Sequence, residues 1–267
     1  MLTPDEINTL TGFADTLADA AARVTLPHFR SGLAVDNKRG DFKFDPVTAA
    51  DRDAEAAIRA LITEHYPTHG IYGEEHGRET GTSENYWVID PIDGTRSFIS
   101  GVPLWGTLIA LNDGTKPVIG MMDQPYTGER FIGRPGLSEL VTRHGRSKLR
   151  VSTCTALDNA ILGNTDPAMF KTEKERTVFR TLSSEVKLRR FGGDCYFYAL
   201  LAAGTIDLVV EASLQPYDIQ AMIPIIENAG GIVTSWTGGD PQMGGHVVAA
   251  ATPELHTAAI ALLKTAL

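Results

Sequence analysis

From residue 151 onward, short apolar runs alternate with helical patterns, and this alternation constrains the fold more than any other feature of the chain. The pattern predicts strands at 160–164, 186–189, 206–211, 232–235 and 246–250. Between them it predicts helices at 172–182, 195–203 and 216–228, with a last helix capped by Thr252, Pro253 and Glu254. Alternating strands and helices bury sheet faces under helices, which is the logic of an α/β arrangement. The first half reads differently. Residues 106–112 and 116–123 are strand-like runs joined by Asp113 and Gly114, a hairpin signal, and 130–133 adds a third run to an antiparallel meander.

Two amphipathic helices precede that meander. The first opens at Thr3, Pro4, Asp5 and Glu6 and carries Ile7, Leu10, Phe13, Leu17, Ala21 and Val24 at helical spacing to about Pro27. The second begins at Thr48 and stops before Pro67, with Asp51, Asp53 and Glu55 in its first turns, where negative charge complements the helix dipole. Residues 31–46 read as a loop or a weak hairpin. Residues 135–150 read as an irregular polar boundary. The expectation is one mixed α/β domain over 1–267, with an N-terminal α+β half of about 1–145 and a C-terminal α/β half of about 146–267.

Net charge is −9 and no dense basic run occurs, which argues against nucleic acid as a partner. The two cysteines, Cys154 and Cys195, give no disulfide framework. Neither is followed by an arginine six residues on, so a cysteine-phosphatase loop is absent. No basic leader precedes an apolar core, and no run is long enough to span a membrane. A cytoplasmic protein with no membrane partner is the expectation. A P-loop, a Gly-x-Ser-x-Gly elbow and a His-Glu-x-x-His pair are all missing, which removes three common chemistries.

What remains is a set of carboxylates. The run Trp87 to Ile89 reads as a buried strand that stops at Asp90, Pro91, Ile92, Asp93, Gly94 and Thr95. Asp90 and Asp93 at a strand end can hold a cation, and the backbone N–H groups of Gly94 and Thr95 can hold an anion. Asp, Pro and Gly are also ordinary turn residues, so the stretch leaves both readings open. A short strand at 70–73 delivers Glu74 and Glu75, and Asp218 lies near the start of an apolar helix. Oxygen-only ligands of this kind suit Mg2+.

The string Trp87-x-x-Asp90-Pro91-x-Asp93-Gly94-Thr95-x-x-Phe98 resembles the first signature of the inositol monophosphatase family. Tyr217, Asp218 and Ala221, followed by Glu227, Ala229, Gly230 and Gly231, resemble the second, with Tyr217 where the family usually has Trp. Asp45-Pro-Val-Thr-x-Ala-Asp51 and Gly73-Glu-Glu75 complete the pattern in family order. The resemblance implies a layered αβαβα sandwich and a Mg2+-dependent phosphomonoesterase, with two or three cations per site, Mn2+ as a substitute, and a homodimeric assembly. It implies that Glu74, Asp90 and the Ile92 carbonyl hold one metal, and that Asp90, Asp93 and Asp218 hold a second. Asp51 and Thr95 would orient the attacking water, Glu74 would reach a third metal through water, Gly94 and Thr95 would bind phosphate, and Lys43 lies in a loop that closes over the site.

Gly192 to Tyr196, Glu211 to Asp218, Gly106 to Leu111 and Asp123 to Pro125 are most similar to the histidinol-phosphate phosphatase branch. Alignment with the family puts Asp194 and Glu211 where the non-phosphate part of the substrate lies. Two carboxylates there suit a cation such as histidinol better than a neutral polyol. Asp194 is also suited to cap the helix beginning at Cys195. Arg190 precedes this segment and either answers its charge, touching substrate, or crosses a dimer interface. The expected function is hydrolysis of L-histidinol phosphate in histidine biosynthesis, beside a broader inositol or sugar-phosphate phosphatase. A non-catalytic phosphate binder is disfavoured because the whole carboxylate set is present.

Overall fold

A computed structural model describes residues 2–31, 36–37, 46–47 and 49–266. Lys43, Asp45 and Thr48 therefore lie outside the described residues. Asp36 pairs with Val47 and Asn37 with Pro46, an antiparallel two-residue ladder (β1, Asp36–Asn37; β2, Pro46–Val47), so the hairpin alternative holds for those four positions.

The chain builds five layers. Helix α1 (Pro4–Thr25) opens with a capping box: the Glu6 N–H donates to Thr3 Oγ1, and the Thr3 N–H donates to the Glu6 carboxylate. Its apolar stripe packs with α2 (Ala49–His65) on one face of an eight-stranded sheet. That sheet comprises β3 (Gly70–Gly73), β4 (Gly77–Glu79), β5 (Tyr86–Asp93), β6 (Gly106–Asn112), β7 (Pro117–Gln124), β8 (Glu129–Arg134), β9 (Leu137–Thr142) and β10 (Gly145–Lys148), in the order β10-β9-β8-β7-β6-β5-β3-β4. A five-stranded sheet follows, built from β11 (Ile161–Asn164), β12 (Leu188–Phe191), β13 (Leu208–Leu214), β14 (Ile232–Ser235) and β15 (Gly245–Ala250), in the order β12-β11-β13-β15-β14. Helices α5 (Asp194–Ala202) and α7 (Met222–Asn228) fill the space between the sheets. Helices α4 (Glu173–Glu185) and α8 (Pro253–Leu263) cover the outer face of the second sheet. This is the αβαβα sandwich expected from the sequence. Among the described residues no helix is long and apolar enough to cross a membrane.

Strand parity aims the acidic end of β5. Trp87 and Ile89 pack into the α1/α2 layer, whereas Val88 packs into the layer of α5 and α7. Asp90 shares the parity of Val88, so it emerges toward the second half of the chain. The α7 helix lies close against the first sheet because Gly120 and Gly133 leave it room. A Cβ on either would come within 2.0 Å of the Ala221 carbonyl or 2.2 Å of the Ile225 nitrogen.

Three sequence expectations change. Residues 135–150 are mostly strand: Gly136 (φ 79°) and Gly145 (φ 125°) provide turns that carry β9 and β10, and the first sheet, expected to end with the run at 130–133, continues to Lys148. The polar pattern there reflects an exposed sheet end, since every residue of β10 is exposed. The helix expected over 216–228 divides into α6 (Pro216–Ile219) and α7. Pro224 has no N–H for the Gln220 carbonyl, and proline is tolerated only in a first turn. Strand β4 was not anticipated, and β12 and β13 sit about two residues later than the apolar runs suggested.

Candidate active site

The ladder between β5 and β6 shifts register between Asp90 and Asp93, a bulge that turns the end of β5 away from regular pairing. Local hydrogen bonds fix the turn. The Ile92 N–H donates to Asp90 Oδ1 at 3.0 Å, Thr95 Oγ1 donates to the Ile92 carbonyl at 3.2 Å, and Thr107 Oγ1 donates to the Pro91 carbonyl at 2.8 Å. Gly94 (φ 83°) then passes into α3 (Thr95–Ile99) through a left-handed conformation that favours glycine. Asp218 arrives from α6, where its Oδ2 accepts the Gln215 N–H at 2.7 Å. The result brings together carboxylate oxygens of Asp90, Asp93 and Asp218, all within 4.8 Å of one another. Glu74, in the turn after β3, lines the same cleft.

These acids are costly neighbours. Burial pushes the Asp90 carboxyl well above the usual range, and Glu74, Asp93 and Asp218 push it further. Burial, followed by the charge of Asp194, raises Asp93 to about 7. Burial also raises Asp218, with Asp93 adding to it. Among the described residues no lysine or arginine forms an ion pair with Asp90, Asp93 or Asp218. A compact set of carboxylate oxygens with no cationic side chain paired to it among the described residues fits a hard divalent cation.

Beyond the three acids the cleft, of about 460 Å³, extends to Asp194 and Glu211. Asp194 is not the cap of α5. The Cys195 N–H donates instead to Asp93 Oδ2 at 2.7 Å, so an acid from β5 satisfies the helix start, and Asp194 occupies the first helical position with φ 44°. The Asp194 carboxylate turns to Ser97, whose hydroxyl donates to it at 3.0 Å. Glu211 is fully buried, and its Oε1 accepts both the N–H (2.9 Å) and the hydroxyl of Thr165. Burial lifts its carboxyl to about 8 despite those two bonds. Thr165 was missed in the sequence, although its place just past β11, at the C-terminal end of a strand paired in parallel, is where ligands collect in α/β sheets.

Two further expected residues, Asp51 and Arg190, do not line this cleft. Asp51 is buried in the first turn of α2. Arg190 lies on the exposed strand β12, at the end of its sheet. Cys195 is buried, and burial followed by Asp93 drives its thiol well above the ordinary value, so it packs as a core residue. Two cations, Arg96 and Lys171, do line the cleft, and Arg96 stands 4.0 Å from Asp166.

The profile of the inositol monophosphatase family matches residues 6–267. The bifunctional phosphatase IMPL2 of Arabidopsis thaliana, a chloroplastic protein, is 43% identical over 239 residues, spanning 89% of this chain and 67% of its own. A histidinol-phosphatase of Chlorobaculum parvum is 37% identical over 230 residues, spanning 83% and 84%. Among solved structures, an inositol monophosphatase from Zymomonas mobilis superposes with a TM-score of 0.84 at 38% identity, covering 97% of this chain and 98% of its own.

Proposed function

The chain belongs to the inositol monophosphatase family, and within it we propose that this protein is a Mg2+-dependent phosphatase that hydrolyses L-histidinol phosphate to L-histidinol and phosphate. One observation carries the choice of substrate. Asp194 and Glu211 sit together in the cleft beyond the Asp90, Asp93 and Asp218 cluster, and neither is ion-paired with a lysine or arginine among the described residues. Burial drives both carboxyls toward protonation, and a cationic substrate would reverse that. Histidinol carries an ammonium and a titratable imidazole, so it supplies the missing charge where a polyol would not. The likeness to a protein named histidinol-phosphatase supports the same choice.

Asp90, Asp93, Asp218, Glu74 and the Ile92 carbonyl would hold the cations. When bound, these supply positive charge against the phosphate oxygens and acidify water at neutral pH. The protein does the rest. Gly94 and Thr95, at the start of α3, offer first-turn N–H groups with no intrahelical acceptor to the phosphate. The Thr95 hydroxyl, with Asp51, would orient the attacking water and draw off its proton. Asp194 and Glu211 would grip the alcohol part of the ester and align its bond to phosphorus for in-line attack. A homodimer would cover the β12 edge, where Leu188 and Phe191 are each 47% exposed beside Arg189 and Arg190. Light scattering on the purified chain checks that assembly.

A second reading, a phosphatase for inositol or sugar phosphates, is favoured by the Zymomonas mobilis likeness and by Arg96 and Lys171 at the cleft. Phosphate release from histidinol phosphate and inositol 1-phosphate, each with and without Mg2+, separates the two. Preference for histidinol phosphate is expected. Preference for the inositol ester would overturn the first reading, and release without Mg2+ would overturn the metal requirement.

A further inference from the structure

We infer that Glu55 and Arg59, on one face of α2, form a clamp that positions Glu74 for the cation. The inference rests on the assignment of Glu74 as a cation ligand and adds the residues that hold it in place.

Glu74, Glu75 and His76 form the turn between β3 and β4, whose flanking glycines, Gly73 and Gly77, face one another across the ladder. A three-residue turn near a sheet edge needs partners for its backbone groups. Here they come from the helix. The N–H groups of Glu75 and His76 donate to the two oxygens of Glu55 at 2.7 and 3.1 Å. Arg59 Nε donates to Glu55 Oε1 at 2.7 Å, and its terminal nitrogen donates to the Gly77 carbonyl. The next turn of α2 thus completes what Glu55 begins, and the turn is gripped by donors and acceptors alike. On its other side the Glu74 N–H donates to the Ile89 carbonyl of β5 at 3.2 Å. Glu74 is held between the strand that carries Asp90 and the helix that carries Asp51.

The burial of Glu55 makes this more than turn chemistry. Its side chain is fully buried, and a charged group is costly to bury unless hydrogen bonds and a counter-charge restore what water supplied. An apolar residue would pack there at lower cost but would leave two amides without acceptors. Gly73 fits the same design: a Cβ at that position would lie 2.0 Å from Glu55 Oε1, so the carboxylate rests directly against the backbone preceding Glu74. Asp51, Glu55 and Arg59 recur at four-residue spacing, on one helix face. A single rigid element therefore fixes the distance between Asp51 and the Glu74 turn. Residues that support ligands in this way tune affinity more than chemistry.

The test is direct Mn2+ binding to the full chain, followed by electron paramagnetic resonance without substrate. Glu55→Gln replaces an acceptor with a donor and removes the carboxylate against Arg59 Nε, so Mn2+ affinity is expected to fall about tenfold or more. Amide exchange at Glu75 and His76 should quicken, and kcat at saturating Mn2+ should fall by less than the affinity. Should Glu55→Gln fail to fold, Arg59→Met keeps both acceptors and is expected to weaken binding about threefold. A lower melting temperature with Mn2+ affinity unchanged in the folded variants would overturn the clamp. Glu74→Gln tests the layer beneath. If it binds Mn2+ as the parent does, the assignment of Glu74 fails, and the clamp with it. If it binds weakly while Glu55→Gln binds normally, the clamp fails alone.

Discussion

Two places in this molecule gather three aspartates, and they resolve the repulsion in opposite ways. At the first, Arg130 reaches from β8 to Asp123 on β7 and to Asp15 and Asp19 on α1, at 2.8, 2.9 and 2.7 Å. Its planar fork satisfies all three acids and ties the helix layer to the sheet. At the second, Asp90, Asp93 and Asp218 converge within 4.8 Å, and among the described residues no lysine or arginine is paired to them. Burial raises Asp123 as it raises Asp90, but Arg130 pulls Asp123 back, whereas Glu74, Asp93 and Asp218 push Asp90 further. A carboxylate cluster with an internal cation is a strut. One without is a socket, and its stored repulsion is the part of the structure that a ligand cation relieves.

Removing one acid from each cluster separates the two roles most sharply. Asp90→Asn should cut Mg2+-dependent turnover by at least about a thousandfold, since several kcal/mol of charge stabilisation depend on that group. Its melting temperature without metal should hold or rise, because a repelling charge has gone. Asp123→Asn should do the reverse, keeping turnover and losing stability. Near-normal Mg2+-dependent activity in Asp90→Asn would sink the socket interpretation. The strut has its own test, next in size. Arg130→Met leaves Asp123 buried without its counter-charge, at a cost of about 3 kcal/mol, read as a lower denaturation midpoint with kcat/KM little changed. An activity loss out of proportion to the stability loss would show that the two clusters are coupled.

The socket was legible in the sequence and the strut was not, for a physical reason. Asp90, Asp93 and Asp218 stand beside turn and strand punctuation, and Asp90-Pro91-x-Asp93-Gly94-Thr95 concentrates the chemistry in six positions. Arg130 and its partners are scattered over residues 15, 19, 123 and 130, each an unremarkable surface type until the fold assembles them. Glu55 misled in a similar way. Its place near the start of α2 suggests dipole complementarity, yet it faces inward and holds the Glu74 turn. Alternation of strands and helices gave the layers, because patterning is a local signal. It could not give β9 and β10, whose polar residues sit at an exposed sheet end, nor the break at Gln220, which depends on what Pro224 withholds. Arg190 shows the limit from the other side: adjacency in sequence to Asp194 suggests a place at the cleft, yet it stands on the exposed edge strand β12 and does not line it.

Within the cleft, the same contrast predicts how specificity fails. Glu211→Gln keeps an oxygen for Thr165 but removes the charge offered to substrate. KM for histidinol phosphate should rise between about ten- and a hundredfold, the worth of a charge-assisted hydrogen bond. KM for inositol 1-phosphate should move by less than about threefold, the scale of a neutral contact. Equal losses for both esters would make Glu211 a general structural acid, closer in kind to Asp123 than to Asp90.

The smallest expected effect is on stability against pH, and its size distinguishes the clusters. A carboxyl whose folded pKa is raised gives stability that is full below its unfolded value and lost as pH rises through the folded value. For Asp93 that window runs from 3.8 to about 7, and for Glu211 from 4.5 to about 8. In EDTA the melting temperature should therefore fall between pH 5 and 8, by an amount on the order of 5 °C. Mg2+ should restore it, and more at pH 8 than at pH 5, since the ligands must be ionised to bind. Asp93→Asn should flatten the slope in EDTA, whereas Asp123→Asn should leave most of it, because Arg130 offsets much of the rise at that site. A melting temperature that stays level in EDTA, or Mg2+ stabilisation that ignores pH, would mean that the three acids of the socket do not repel one another as their packing requires.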